Sequence, residues 1–322
     1  MVLGLTPEDS MPARRYRPSG KTDPLALELL LLGCVGVGLA VGIVEGFVAY
    51  HAFTLRGWFP GALGAAVGGF AYWWIGKARI RAPGAAAALA LLGGVVGQAA
   101  VHRTGYELFR LDATLELRRT QPRADARAEI DRFLVARTGQ PGWVGYMKLV
   151  ASVGITETRL GFGGPGNHVS GTRLWADWAF ELLLVACCAS ALAVVRARAP
   201  FCEGCNRWYD LIERVATGSP RRRDWKTVVA ALEAGEGAGA LALRGEPKRN
   251  RWAVFRLRRC SACETHAPIL QVSVAKTMVR RGERHDFERA CHETLVTPEL
   301  AAALLAFGRL EEPLTSSAAD RW

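Results

Sequence analysis

Four stretches of the chain stay apolar for about the 20 residues that a helix needs to cross a hydrocarbon core. They lie near 28–50, 58–76, 84–102 and 174–195. The first runs from Glu28 through Leu29–Leu32 to Tyr50. The second carries Trp58, Tyr72, Trp73 and Trp74 near its ends, where amphipathic rings favour the lipid–water boundary. Pro83 opens the third, and Trp175 and Trp178 open the fourth.

Between the third and fourth stretches, 103–173 reads as an external loop of short helices. Ala126, Ile130, Phe133 and Leu134 share one helical face, which Gly139 and Pro141 end. Trp143–Val153 is apolar apart from Lys148 and too short to span, so an interfacial or re-entrant segment is expected. The Gly161–Gly166 run lacks a preceding strand and a following Lys-Ser/Thr, so it predicts a flexible return and not a phosphate loop. His168 reads as a loop residue.

After residue 198 the period changes. Asp224 is expected to cap a helix that carries Val228, Val229 and Leu232 and stops at Gly235. Ala253, Phe255 and Leu257 then alternate within Trp252–Arg259, and Leu270, Val272 and Val274 alternate beyond them, which predicts two strands. A last helix is predicted from Thr297-Pro298-Glu299 to Gly308. The expected fold class is an α-helical membrane bundle of four transmembrane helices plus a small α+β zinc-ribbon-like C-terminal domain. Its parts are a basic N-terminal segment (1–24), a membrane domain (25–198) and a C-terminal domain (199–322).

Composition sharpens this reading. Many of the 35 glycines fall inside the apolar stretches. Gly38, Gly42 and Gly46, then Gly64 and Gly68, then Gly93 and Gly97 recur every fourth residue, which stacks them on one face and lets helix backbones approach closely. The net charge is +11, and many of the basic residues behind it flank the apolar segments. Arg14, Arg15, Arg17 and Lys21 precede the first, Lys77, Arg79 and Arg81 fill the turn between the second and third, and Arg196 and Arg198 leave the fourth. The turn between the first two holds only Arg56. Basic residues accumulate on the cytoplasmic side, so both termini are expected inside a bacterial inner membrane. The first 20 residues are polar and basic and the first apolar stretch exceeds a signal h-region, so no cleavable signal peptide is expected. Arg221, Arg222 and Arg223 are expected to meet anionic headgroups, which a membrane-tethered domain encounters before nucleic acid.

Two groups of residues carry candidate chemistry. Cys202/Cys205 and Cys260/Cys263 are CxxC pairs, and each such turn aims two thiolates at one point, where a tetrahedral Zn2+ accepts four sulfurs. The gap between the pairs exceeds the roughly 15–20 residues of a simple ribbon. The helix and strands predicted above occupy that insertion. Four thiolates leave no open coordination position, so the ion would be structural. A disulfide needs an oxidising compartment, and a redox dithiol usually comes singly at a strand–helix junction. Cys34, Cys187 and Cys188 read as small apolar residues. Cys291 and His292 read as residues of the last strand, with replacement of one metal ligand as the alternative.

Glu45, Gln98 and Glu181 sit at membrane depth, where an ionisable group is costly and suggests function. Glu45 lies three residues past Gly42, on the face of the small residues, and should point into the bundle. Glu28 and Asp177 lie nearer helix ends, within reach of the interface. The six histidines are scattered, and no nucleophile–base constellation or phosphate loop follows from the spacing.

Gly76-Lys77-Ala78-Arg79, Trp178, Glu181 and Pro200-Phe201-Cys202-Glu203-Gly204-Cys205 together resemble a group of uncharacterised bacterial multi-pass membrane proteins with a C-terminal Pro-Phe-Cys-x-x-Cys zinc-ribbon-like domain. The resemblance runs over roughly residues 25 to 265, and the Pro-Phe-Cys-Glu-x-Cys junction is its specific part. It implies a second CxxC, as Cys260/Cys263, and no activity. The leading expectation is a non-enzymatic membrane scaffold that meets a protein partner through its zinc module. The alternatives are a small-solute or proton/cation transporter using Glu45 and Glu181, and a membrane thiol oxidoreductase.

Overall fold

Proline placed at the first helical turn starts both of the longest helices. In α1 (Pro24–His51), Asp23 caps the helix by accepting from the Leu25 amide at 3.1 Å, and Pro24 occupies a position whose missing N–H would have no helical partner. In α3 (Pro83–Thr120), Pro83 plays the same part. The computed structural model describes residues 16–52, 57–121, 125–157, 167–234, 236–247, 250–262, 267–280 and 283–307. The chain divides into two compact units, Ser19–Arg198, and Ala199–Trp322 together with Met1–Pro18.

The first unit is helical: α1, α2 (Trp58–Ala78), α3, α4 (Ala126–Thr138), α5 (Gly142–Val153) and α6 (Thr172–Ala197), with a short ribbon of β1 (Ile155–Glu157) and β2 (Asn167–Val169). Among the described residues, α1, α3 and α6 are long and apolar enough to cross a membrane. Glycines and tryptophans dilute the apolar content of α2, which falls short of that measure. It nevertheless packs in the same bundle, because Gly64 lies against Val185 and Cys188 of α6, and Gly68 against Ala189 and Leu192. The α1–α3 seam is tighter. A Cβ on Gly42 would stand 2.2 Å from the Gly97 carbonyl oxygen, and one on Gly38 would stand 2.3 Å from that of Gly93. Only glycine permits this approach. Trp74 of α2 donates to the Ala26 carbonyl of α1 at 3.0 Å, and Ser190 of α6 to that of Ala87 in α3 at 3.3 Å.

The third helix is longer than its apolar stretch. It continues past His102 to Thr120, 38 residues in all and about 57 Å at 1.5 Å per residue, against a hydrocarbon thickness of about 30 Å. Ion pairs one turn apart support the extension: Arg103–Glu107 at 2.5 Å, Arg110–Glu107 at 2.8 Å and Arg119–Glu116 at 3.4 Å. Tyr106 anchors it against Ile130 and Leu134 of α4. As expected, α4 ends at Gly139, in the left-handed conformation, and the Trp143–Val153 segment is helical. His168 lies in β2 instead of a loop, paired with Thr156. The Gly161–Gly166 run lies outside the described residues.

The second unit opens with a small hairpin, β3 (Phe201–Cys202) with β4 (Arg207–Trp208). A four-stranded antiparallel meander follows, in the order β5 (Leu211–Gly218), β6 (Arg251–Arg259), β7 (Ile269–Arg280), β8 (Glu283–Leu295). Between β5 and β6 come α7 (Arg222–Glu233) and a 3-10 helix (Gly237–Arg244), and α8 (Pro298–Phe307) closes the described chain. The predicted alternation holds: Ala253, Phe255 and Leu257 are fully buried and pair across to Val274, Val272 and Leu270. This face packs against Trp225, Val228, Val229 and Leu232 of α7 and Leu304 of α8.

Asp224 does not cap α7. The cap position is Arg221, which contributes no side-chain cap bond, and Asp224 sits in the first turn, where its charge opposes the positive end of the helix dipole. The helix ends at Glu233, and Gly235 lies outside the described residues. Thr297 caps α8 as expected, accepting from the Leu300 amide at 3.2 Å. The sequence pattern did not show β5 or the length of β8, since both strands are half polar and owe their form to their neighbours.

Candidate metal centre

The first CxxC is a turn built to reverse the chain. Phe201 pairs with Trp208 and Cys202 with Arg207, while residues 203–206 form the bend. Asn206 completes the reversal at φ +52°, a left-handed conformation that asparagine tolerates better than most residues. The Phe201 and Trp208 rings meet edge to face at 5.0 Å and hold the hairpin shut. The second CxxC begins where β6 ends: Cys260 follows Arg259, and Ser261 and Ala262 start the turn toward β7.

These two turns bring the sulfurs of Cys202, Cys205 and Cys260 within 4.8 Å of one another. Around a tetrahedral ion with sulfur ligands at about 2.3 Å, sulfurs stand about 3.8 Å apart. The three thiols are therefore placed to share one metal ion. Cys202 and Cys260 are buried and Cys205 is half-buried, so the cluster is largely screened from water. Cys263, the fourth expected ligand, lies outside the described residues. Cys291 is exposed on β8, and His292 Nε2 stands 3.7 Å from Glu233 Oε1, with its ring beside Trp225. Neither belongs to the cluster.

The residues after the first knuckle fasten the second one at both ends. The Asp210 carboxylate accepts from the Ser261 amide at 2.9 Å and from its hydroxyl at 2.5 Å. Tyr209 donates its hydroxyl to the Ala267 carbonyl at 2.8 Å and its amide to the Pro200 carbonyl at 3.0 Å. The hydrogen bonds from Ser261, with a smaller contribution from Arg207, hold the Asp210 carboxyl below the usual carboxylate range. Tyr16 adds a brace on the near side. Its hydroxyl donates to the Ala199 carbonyl at 3.4 Å and accepts from the Phe201 amide at 3.2 Å. Arg259, next to Cys260, is held by Glu213 at 2.6 Å. Sequence reasoning found the cysteines and missed Tyr16, Tyr209, Asp210 and Ser261. Hydrogen bonds between residues far apart in the chain leave no periodic trace.

Of the membrane-depth residues, Glu45 and Gln98 are buried, with Glu45 on the glycine face of α1 as expected. Gln98 donates to Glu181 at 3.5 Å, and Glu45 lies within electrostatic range of Glu181, so the structure brings the three together. Two further residues belong beside them. Asp177, which its position near a helix end set aside, is only 8% exposed. His102 lies 3.5 Å from Gln98 and edge-on to Trp178. His102 falls one helical turn after Gln98, the one sequence signal that could have pointed to it.

Arg221, Arg222 and Arg223 are all exposed at the start of α7. Arg256 is paired with Glu288, and Trp225 is buried in the core, which removes it as a platform for a base.

No known family, curated protein or solved structure matches this chain.

Proposed function

We propose that the chain is a bacterial inner-membrane protein of four transmembrane helices whose cytoplasmic C-terminal module holds one structural Zn2+ and acts as an interaction or assembly scaffold. The observation that carries this reading is the convergence of Cys202, Cys205 and Cys260, from two CxxC turns at either end of a long insertion, within 4.8 Å. Clustered thiolates in a tetrahedral arrangement select Zn2+ among the common divalent ions. With Cys263 as the fourth ligand the site is closed to substrate, and metal binding energy becomes folding energy for the module, which has the hairpin layout of a zinc ribbon. The resemblance to multi-pass proteins carrying Pro-Phe-Cys-x-x-Cys supports the same assignment.

The glycine seam between α2 and α6 supports α2 as the fourth membrane helix, since such close packing is how helices associate in lipid. The basic turn containing Lys77, Arg79 and Arg81 supports a cytoplasmic location for both termini. Arg221–Arg223 oppose the dipole of α7 and so do not serve the helix. Anionic headgroups are the partner they fit, with nucleic acid disfavoured by the pairing of Arg256 and the burial of Trp225.

Full-length protein purified in detergent should carry one zinc per chain, with four thiols protected until a chelator is added. Affinity capture from native membranes should recover a partner with the wild-type protein and lose it with Cys202→Ser. Metal-free protein after zinc-replete expression, or labelling that places Cys260 on the outer side of the membrane, overturns the reading.

A further inference from the structure

Tyr16 stands 183 positions before Ala199, yet its hydroxyl donates to the Ala199 carbonyl at 3.4 Å and accepts from the Phe201 amide at 3.2 Å. Phe201 and Cys202 make up β3, so these bonds fall directly beside a thiol of the cluster. Phe201 and Cys202 are buried, and Tyr16 is half-buried. The segment that carries Tyr16 belongs to the same compact unit as the cysteine turns, although the whole helical unit lies between them in sequence.

The first cysteine turn needs such help. Its ladder is two residues of β3 paired with two of β4, and a lone hairpin of that size is marginal in water. Tyr209 donates to the Pro200 carbonyl, which lies in sequence between the two groups that Tyr16 holds. The second turn is secured differently, by the end of β6 and by the bonds from Ser261 to Asp210. Residues 16–23 form neither helix nor strand. Tyr16 can therefore leave the entrance of β3 without breaking a helical or ladder bond, and segments of that kind open at a small share of the global stability.

We propose that the segment carrying Tyr16 is a strap over the first cysteine turn, closed in this structure, and that its opening sets the rate at which the site exchanges its ion. The proposal rests on the zinc reading above and names the regulation of that same site. With the strap closed, the Tyr16 hydroxyl satisfies the backbone on either side of Pro200 and keeps Cys202 in place. With it open, the Ala199 carbonyl and the Phe201 amide turn to water and β3 frays. Cys202 then leaves the ion before Cys260 does, because Asp210 and Ser261 still hold the second turn.

The test uses full-length protein in detergent and compares Tyr16→Phe with the wild type and with Tyr50→Phe, which removes a hydroxyl that donates to Asp112 in the helical unit. Zinc transfer to an excess of a chromophoric chelator is followed in time. A short pulse of iodoacetamide, limited to less than one thiol per chain, is mapped by mass spectrometry. One neutral hydrogen bond shifts an equilibrium roughly 2- to 10-fold, and Tyr16→Phe removes a donor and an acceptor together. The variant should still hold one zinc per chain but transfer it at least about fivefold faster, with the ratio of alkylation at Cys202 to that at Cys260 raised by a similar factor. Tyr50→Phe should match the wild type in both. Unchanged transfer or an unchanged ratio overturns the proposal. So does faster transfer with alkylation raised equally at Cys202 and Cys260, which marks a general loosening of the module. Zinc-free wild-type protein overturns the zinc reading instead, and the alkylation ratio still decides whether Tyr16 holds the Cys202 turn.

Discussion

Asp210 accepts two hydrogen bonds from Ser261, one from the amide and one from the hydroxyl, and so ties the end of the first cysteine turn to the start of the second. Groups that orient metal ligands from outside the coordination sphere typically change affinity about 10- to 100-fold when removed. Asp210→Ala should therefore weaken zinc binding by about that factor without removing a thiol, measured by competition with a chromophoric chelator. Tyr209→Phe removes the hydroxyl's bond to Ala267 but keeps the ring and should cost less.

The cysteines should divide sharply in their effect on metal content. Cys202→Ser, or Cys260→Ser, removes a buried member of the cluster and should leave the purified protein with little zinc by elemental analysis. Cys291→Ser alters an exposed residue of β8 and should retain zinc at the wild-type stoichiometry.

Glycines of α1 should respond according to the face they occupy. Gly42→Ala forces a methyl to 2.2 Å from the Gly97 carbonyl and must push α1 and α3 apart. Gly36→Ala has nothing within 4 Å to meet. In detergent, the first should lower the thermal unfolding midpoint. The second should leave it unchanged or raise it slightly, because alanine is the better helix former.

Phe255 is fully buried at the centre of the sheet face that packs on α7 and α8. Phe255→Ala should cost about 3–5 kcal/mol, a large share of the stability of a small domain. Urea titration followed by near-ultraviolet circular dichroism should show an early transition in the variant. Zinc should be released in that same transition, because Cys260 follows directly from the strand that holds Phe255.

What could be read along the chain was whatever repeats with the period of a local structure. Apolar runs of membrane length gave α1, α3 and α6, alternation gave β6 and β7, and a threonine before proline gave the start of α8. The extension of α3 to Thr120 escaped, because ion pairs and packing against α4 maintain it where the apolar pattern has ended. The cap of α7 was misplaced because several polar residues precede that helix, and the choice of the first turn depends on how β5 delivers the chain to it.

By itself the sequence determined the membrane-length helices, the alternating strands β6 and β7 and the paired cysteines, since helix length, strand alternation and CxxC spacing are properties of neighbours along the chain. Only the tertiary structure decided that three of those thiols meet, that Asp210, Tyr209 and Tyr16 hold the turns that carry them, and that Asp177, Trp178 and Glu181 face one chamber. The braces of the thiol cluster join residues tens to nearly two hundred positions apart. Their energies depend on distance in space, which no local pattern records.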